Sequence, residues 1–312
     1  MTTLELAADE TLHVLLSSRR LEAAVEALSP RVRAHRWKPA DGLPHGEAAQ
    51  AQVWVPSTRT APEGLLEALP RLQLVQSISA GVEGLAGRLP EGVVLCNARG
   101  AHTPSTAEWA VAATLAAQRG LPFFVREQDA ERWSFATHRS LVGARVLVVG
   151  AGDIGRAIGR MLAGFDVEPI YVARTARGDV RGTDELPGLL PHADVVILIV
   201  PLTPETAGMV DARFLAAMPD GALLVNAARG RIVDTDALVT ELTSGRLRAA
   251  LDVTDPEPLP AGHPLWRAPG LLLTPHVAGE VPRTGERAVA AVTAQIGRIL
   301  AGEPLVDVVG AY

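Results

Sequence analysis

Apolar residues fall in short, almost unbroken runs separated by stretches of helical spacing, and the alternation recurs along the whole chain. In the first hundred residues the runs at 12–16, 53–55, 72–78 and 93–96 predict strands, and 19–28 and 64–69 carry helical spacing. A run at 146–149 leads straight into a glycine turn and a helical pattern beginning at Arg156. Further strands are predicted at 170–173, 195–200, 222–226, 249–253 and 271–275, and long helices at 104–118 and 283–300. Strands without polar alternation are those buried on both faces, as in parallel sheets covered by helices. Strands alternating with helices predict a doubly wound α/β fold. The glycine turn arrives only after one complete αβ unit, so a second domain is predicted from residue 98.

That turn reads Gly150-Ala-Gly-Asp-Ile-Gly155. In a strand–turn–helix context, Gly150 permits the tight turn, Gly152 lets a pyrophosphate approach the backbone, and Gly155 lets helix and strand pack closely. The helix start then offers N–H groups and a positive dipole end to phosphates. The bland alternative is an ordinary strand–turn–helix connection. An acidic residue for the ribose 2′-hydroxyl belongs about 20 residues further on. Ala173 stands there, followed by Arg174, Thr175 and Arg177, while Glu168 comes too early. An acid repels a 2′-phosphate, whereas two guanidiniums and a hydroxyl bind it. NADP(H) is therefore preferred over NAD(H). The alternative is that Arg174 stacks on adenine and both cofactors are used.

Composition narrows the class. The 312 residues are 48% hydrophobic and only 4% aromatic, so Ala, Leu and Val build the core, and the net charge is −6. Mild acidity leaves no basic footprint for nucleic acid or anionic membranes. No apolar run reaches the roughly 20 residues of a membrane span. The first ten residues hold acidic groups and no basic ones, unlike a secretory leader. The single cysteine, Cys96, forms no internal disulfide and reads as a core residue. A cytoplasmic protein without nucleic-acid or membrane partners is expected. No H-E-x-x-H or C-x-x-C spacing occurs, so no metal is expected.

Ligands of open α/β sheets bind beyond the carboxyl ends of the strands. Arg229 follows the predicted strand 222–226, Asp252 and Glu257 lie in and beyond 249–253, and His276 follows 271–275. Three strands thus bring an arginine, a carboxylate and an imidazole to one rim. The alternatives are a surface ion pair for Glu257 and a sheet-edge cap for Asp252. His13, His35 and His192 read as structural or solvated, while His102 lies near the expected hinge.

Together with Ser79-Ala-Gly-Val-Glu-Gly, Val200-Pro-Leu-Thr-Pro-Glu-Thr, Asn226-Ala-Ala-Arg-Gly, Pro256-Glu-Pro-Leu-Pro and Thr274-Pro-His-Val-Ala-Gly, these landmarks cover nearly the whole chain. The sequence resembles the D-isomer-specific 2-hydroxyacid dehydrogenases, most of all the glyoxylate/hydroxypyruvate reductase branch. The resemblance implies a flavodoxin-like substrate domain, residues 1–97 and 283–312, and a Rossmann nucleotide domain, 98–282, with the active site in the cleft between them. It implies a homodimer, with the helix near Pro104 in the interface. It makes His276 the general acid, Glu257 the carboxylate that orients it, and Arg229 the group that binds the substrate carboxylate and polarises the carbonyl. Amides around Ala80, Gly81 and Val82 would also meet that carboxylate. Asp153, Ile154, Pro201, Thr206, Ala227, Asp252 and Gly279 join the glycines and Arg174, Thr175 and Arg177 as cofactor-binding positions.

The activity implied is NADPH-dependent reduction of a small 2-oxo acid to the D-2-hydroxy acid. Formate and phosphite dehydrogenases fit less well, because Glu257 and Ala80 stand where those carry glutamine and, nearby, lysine. Many phosphoglycerate dehydrogenases carry an added regulatory domain for which the chain ends too soon. An NAD(P)H-sensing, corepressor-like binding protein and a biosynthetic reductase of a larger 2-oxo acid are the alternatives. Glu280 replaces the small or hydroxyl residue common at its position; it is either a solvated carboxylate or a contact to a polar substrate tail.

Overall fold

The computed structural model describes residues 2–4, 6–7 and 9–310. The chain forms two compact units, 1–102 with 281–312, and 103–280. In chain order the first unit holds β1 (Leu12–Leu16), α1 (Arg19–Glu26), β2 (Val32–Arg36), β3 (Val53–Trp54), β4 (Leu74–Gln76) and β5 (Val94–Cys96). The second unit follows with α2 (Thr103–Gln118), α3 (Leu121–Asp129), β6 (Val146–Val149), α4 (Asp153–Leu162), β7 (Ile170–Ala173) and β8 (Val180–Gly182). It continues through α5 (Leu186–Leu189), β9 (Val195–Leu198), α6 (Ala212–Ala217), β10 (Leu223–Asn226), α7 (Thr235–Thr243), β11 (Arg248–Leu251) and β12 (Leu271–Leu273). The last helix, α8 (Pro282–Leu300), belongs to the first unit.

Both sheets are wholly parallel. The first runs β2-β1-β3-β4-β5, the 2-1-3-4-5 order of flavodoxin-like folds. One face is sealed by Val292, Ile296 and Ile299 of α8 over Leu12, Val14 and Leu74, and the other by Trp54, Leu65, Leu69 and Leu85. The second runs β12-β11-β10-β9-β6-β7-β8. Counted from β6, that order contains the 3-2-1-4-5-6 arrangement of Rossmann folds, with its switch point between β6 and β9. β6 and β9 are buried along their whole length, which accounts for their unbroken apolar sequences. Small residues of α2, Ala107, Ala110 and Ala113, let it pack closely beside α4 on one face of this sheet. Arg248 closes the end of α2, donating to the Ala117 carbonyl and to Gln118 Oε1 at 3.0 and 2.6 Å. A cation there suits the negative end of the helix dipole.

The stretch 64–69 is not a helix but a series of turns, with one helical-type bond from Ala68 N to Gly64 O at 3.1 Å. Pro62 and Pro70 bracket it, and so short a segment does not repay helix nucleation. Six elements fall outside the predicted runs: β2, β8, α3, α5, α6 and α7. The last two are marked by their caps instead, since Asp211 accepts from Phe214 N at 2.8 Å and Asp234 from Ala237 N at 3.0 Å.

Candidate active site

The second unit's sheet brings three loops to one rim. Asn226, Leu251 and Leu273 are in register on β10, β11 and β12, so the loops bearing Arg229, Asp252 with Glu257, and His276 leave from one level. Asn226 shapes the first: its Oδ1 accepts from Ala228 N and its Nδ2 donates to Arg229 O, each at 3.0 Å. Such a side-chain turn is a local signal of Asn before a loop. A Cβ at Gly230 would overlap the Thr254 carbonyl, so glycine lets the arginine loop pass beneath its neighbour. Arg229 is half-buried, and its Nη1 donates to Ala228 O at 2.6 Å.

His276 Nδ1 lies 2.6 Å from Glu257 Oε1. A carboxylate only accepts, so Nδ1 carries the proton in this bond. The backbone of His276 is left-handed, with φ 57°. Asp252 holds that conformation: it is 2% exposed, and Oδ1 accepts from Thr274 Oγ1 and Val277 N at 2.6 and 2.8 Å, while Oδ2 accepts from Ala278 N at 2.8 Å. The Asp252 carbonyl also accepts from His276 N at 2.7 Å. The Thr274 contact has no signature in the spacing of charged residues.

At the switch point, Gly150 has φ 124°, and a Cβ there would strike Ile199. A Cβ on Gly155 would overlap the Gly150 carbonyl, whereas one on Gly152 would meet nothing within 4 Å. The N-cap of α4, Gly152, has no side chain with which to cap the helix. Tight turn, close strand–helix packing and open space above a glycine N-cap fit a dinucleotide pyrophosphate. Asp153 and Ile154 form the first turn of that helix. Arg174, Thr175 and Arg177 are exposed after β7. Across the switch point, Thr206 Oγ1 donates to Pro201 O at 2.7 Å and accepts from Thr203 N at 2.8 Å, bracing the loop after β9. Ala227 follows β10, and Gly279 O accepts from Ser105 Oγ at 3.3 Å.

Ala80, Gly81 and Val82 lie in the first unit, after β4. Asn97 Nδ2 donates to Ala80 O at 3.1 Å and Ser79 Oγ to Gly81 O at 3.0 Å, so this loop is fixed through its carbonyls rather than its amides. His13 and His35 stack in parallel on β1 and β2, with ring nitrogens 2.9 Å apart. Burial and the neighbouring His13 hold His35 below the usual histidine range. Burial pushes the Cys96 thiol up to about 11. Among the described residues no His, Cys, Asp and Glu cluster fits a metal ion, and no helix is long and apolar enough to cross a membrane.

The strand order and the glycine turn at its switch point place the second unit among dinucleotide-binding α/β folds. The family described as "D-isomer specific 2-hydroxyacid dehydrogenase, NAD binding domain" matches residues 111–278, and the chain belongs to the D-isomer specific 2-hydroxyacid dehydrogenase family. The D-3-phosphoglycerate dehydrogenase of Mycobacterium bovis is 33% identical over 95% of this chain and 58% of its own. The chain thus spans well under two thirds of the length of that relative. A glyoxylate reductase of Thermofilum pendens is 32% identical over 77% of this chain and 75% of its own. Among solved structures, a D-isomer specific 2-hydroxyacid dehydrogenase from Xanthobacter autotrophicus in complex with NADPH and MES superposes with a TM-score of 0.84 at 32% identity, covering 97% of this chain and 98% of that one.

Proposed function

We propose that the chain reduces a small 2-oxo acid of glyoxylate or hydroxypyruvate type to the D-2-hydroxy acid, with NADPH preferred over NADH. The observation that carries this reading is the His276–Glu257 pair at the rim that also bears Arg229. A nicotinamide cofactor supplies the hydride. Gly150, Gly152, Asp153, Ile154 and Gly155 would hold its pyrophosphate, with Pro201, Thr206, Ala227, Asp252 and Gly279 along the rest of its path. Arg229 forks onto the substrate carboxylate and draws charge toward the carbonyl oxygen. As that oxygen gains the carbonyl electron pair, His276 gives it a proton from Nε2, while Nδ1–H stays on Glu257 and fixes the ring. The first unit would act as the substrate domain, with the Ala80–Val82 amides meeting the same carboxylate. Preference for NADPH rests on Ala173 at the acidic position and the exposed Arg174, Thr175 and Arg177. It agrees with the NADPH bound to the Xanthobacter relative. The enzyme is proposed to act in the cytosol as a homodimer. Its single cysteine suits a reducing compartment.

The test follows loss of reduced-nicotinamide absorbance over 2-oxo acids from glyoxylate and hydroxypyruvate to branched and aromatic ones, with D-3-phosphoglycerate assayed in the reverse direction. Rapid oxidation of NADPH, and slower oxidation of NADH, with the two small acids is expected. His276→Ala should lower kcat by roughly 10²- to 10⁴-fold while NADPH still binds. Unchanged turnover in that variant removes His276 as the acid, and activity on D-3-phosphoglycerate alone transfers the reading to the mycobacterial relative's substrate.

A further inference from the structure

The loop read as the 2′-phosphate site is a hairpin-like excursion at the edge of the sheet. After Ala173 the chain crosses to the outer edge of the sheet, and Arg177 pairs antiparallel with Val180, their N–H and C=O groups exchanging bonds of 2.9 Å. Gly178, at φ 55°, and Asp179 form the two-residue turn, and β8 then rises beside β7 in parallel. Every residue from 174 to 179 is exposed, so packing does little to fix this excursion.

A side-chain grip at its tip adds to that backbone pairing. Arg156, the fourth residue of α4, grips the Asp179 carboxylate with both terminal nitrogens, Nη2 to Oδ1 at 2.7 Å and Nη1 to Oδ2. The same guanidinium lies over the Tyr171 ring, 4.1 Å from its centre. Tyr171 in turn rests against Gly159, where a Cβ would overlap its hydroxyl. A cation near the positive end of a helix dipole works against that helix. Exposed ion pairs contribute little to global stability. A bidentate fork does impose geometry, and here it fixes the tip of a loop whose two ends are fixed by β7 and β8.

We propose that Arg156 and Asp179 are positioning residues for cofactor selection, holding the Arg174–Arg177 loop in the shape that reads a ribose 2′-phosphate. The proposal rests on the NADPH reading given above. Ordering a charged loop before the ligand arrives removes part of the entropic cost of binding. Arg177 Nη1 already points back to the Thr175 carbonyl, at 3.4 Å, so the hairpin returns its guanidinium toward the residues at the strand exit.

The experiment measures Kd and KM for NADPH and NADH with the full chain, for the wild type, Asp179→Asn, Arg156→Lys and the double variant Arg174→Ala/Arg177→Ala. Asp179→Asn should weaken NADPH by roughly 3- to 10-fold, leave NADH within about twofold, and retain turnover at saturating NADPH. Arg156→Lys keeps the charge but loses the fork, and should fall between. If Asp179→Asn tightens NADPH, the carboxylate merely repels the phosphate and the proposal is overturned. Equal weakening of both cofactors, with a lower melting temperature, reduces the contact to a structural one and also overturns it. A double variant that loses NADPH preference beside an Asp179→Asn chain that keeps it refutes positioning alone. A wild type without NADPH preference refutes the cofactor reading, and positioning with it.

Discussion

Asp252 shows how one side chain sets the geometry of another. Its two carboxylate oxygens take three donors from residues 274–278, and its carbonyl takes a fourth from His276. That network holds an imidazole on a left-handed backbone, a conformation costing a non-glycine residue about 1–3 kcal/mol. In Asp252→Asn an NH₂ group would face one of the donors, and the Ala278 amide is the one left unmatched. The substitution should cost about 1.5–3 kcal/mol of stability, read as a lower melting temperature, and should lower kcat with it. An Asp252→Asn variant with wild-type melting temperature and kcat would show that the loop holds His276 without the carboxylate. In sequence, Asp252 is legible as a strand-end carboxylate and, through the resemblance, as a cofactor-binding position, but not as the group that holds the 274–278 loop. The donors that occupy it come from a loop more than twenty residues away.

At the scale of elements, legibility followed burial. β6, β9 and β10 are covered on both faces, so their sequences are unbroken runs of Val, Leu and Ile up to a final Asn. β2 is an edge strand whose arginines reach solvent, and its sequence, Val-Arg-Ala-His-Arg, carries no apolar run. The ends of β10, β11 and β12 could be placed together because parallel strands share one carboxyl rim. The Arg156–Asp179 grip could not, because neither residue differs in type from a solvated charge. α3 was hidden for another reason: Leu121, Phe123 and Val125 are all exposed, so no buried face sets its period. The turn after it is held by Glu127, which accepts from Arg132 Nε at 2.9 Å, from Arg132 Nη2 and from Ser134 Oγ. Those hydrogen bonds, Arg132 first, hold the Glu127 carboxyl down at about 2. A folded-state value below the unfolded one means that these contacts stabilise the turn fully above the ordinary carboxyl range and are lost as pH falls toward 2. Carbon-13 titration of the Glu127 carboxyl should show a midpoint near 2, rising toward the ordinary value of about 4.3 in Arg132→Ala. A wild-type midpoint already near the ordinary value would sink this account of the turn.

At the scale of the whole molecule, that pinned turn presents the largest exposed aromatic groups. Trp133 is 104% exposed and Phe135 95%, beside Leu121 at 51% and Val125 at 54%. The segment carrying them is not loose: His138 packs back on Phe123 and Phe124, with ring centres 5.7 and 5.1 Å apart. Aromatic side chains presented outward from a pinned turn forfeit burial unless something covers them, and apolar surface of this kind marks an interaction site. A second copy of the chain is the occupant that the proposed homodimer supplies. If it covers both rings, Trp133→Ser with Phe135→Ser should turn the dimer into a monomer in sedimentation equilibrium. The same variant should still bind NADPH, because neither ring belongs to the glycine turn or to the 174–179 loop. The outcome separates two consequences of losing the partner. A monomer with intact NADPH binding and reduced turnover would make dimer formation part of catalysis, whereas full turnover would confine it to stability. A wild-type chain that sediments as a monomer at micromolar concentration would remove the dimer altogether.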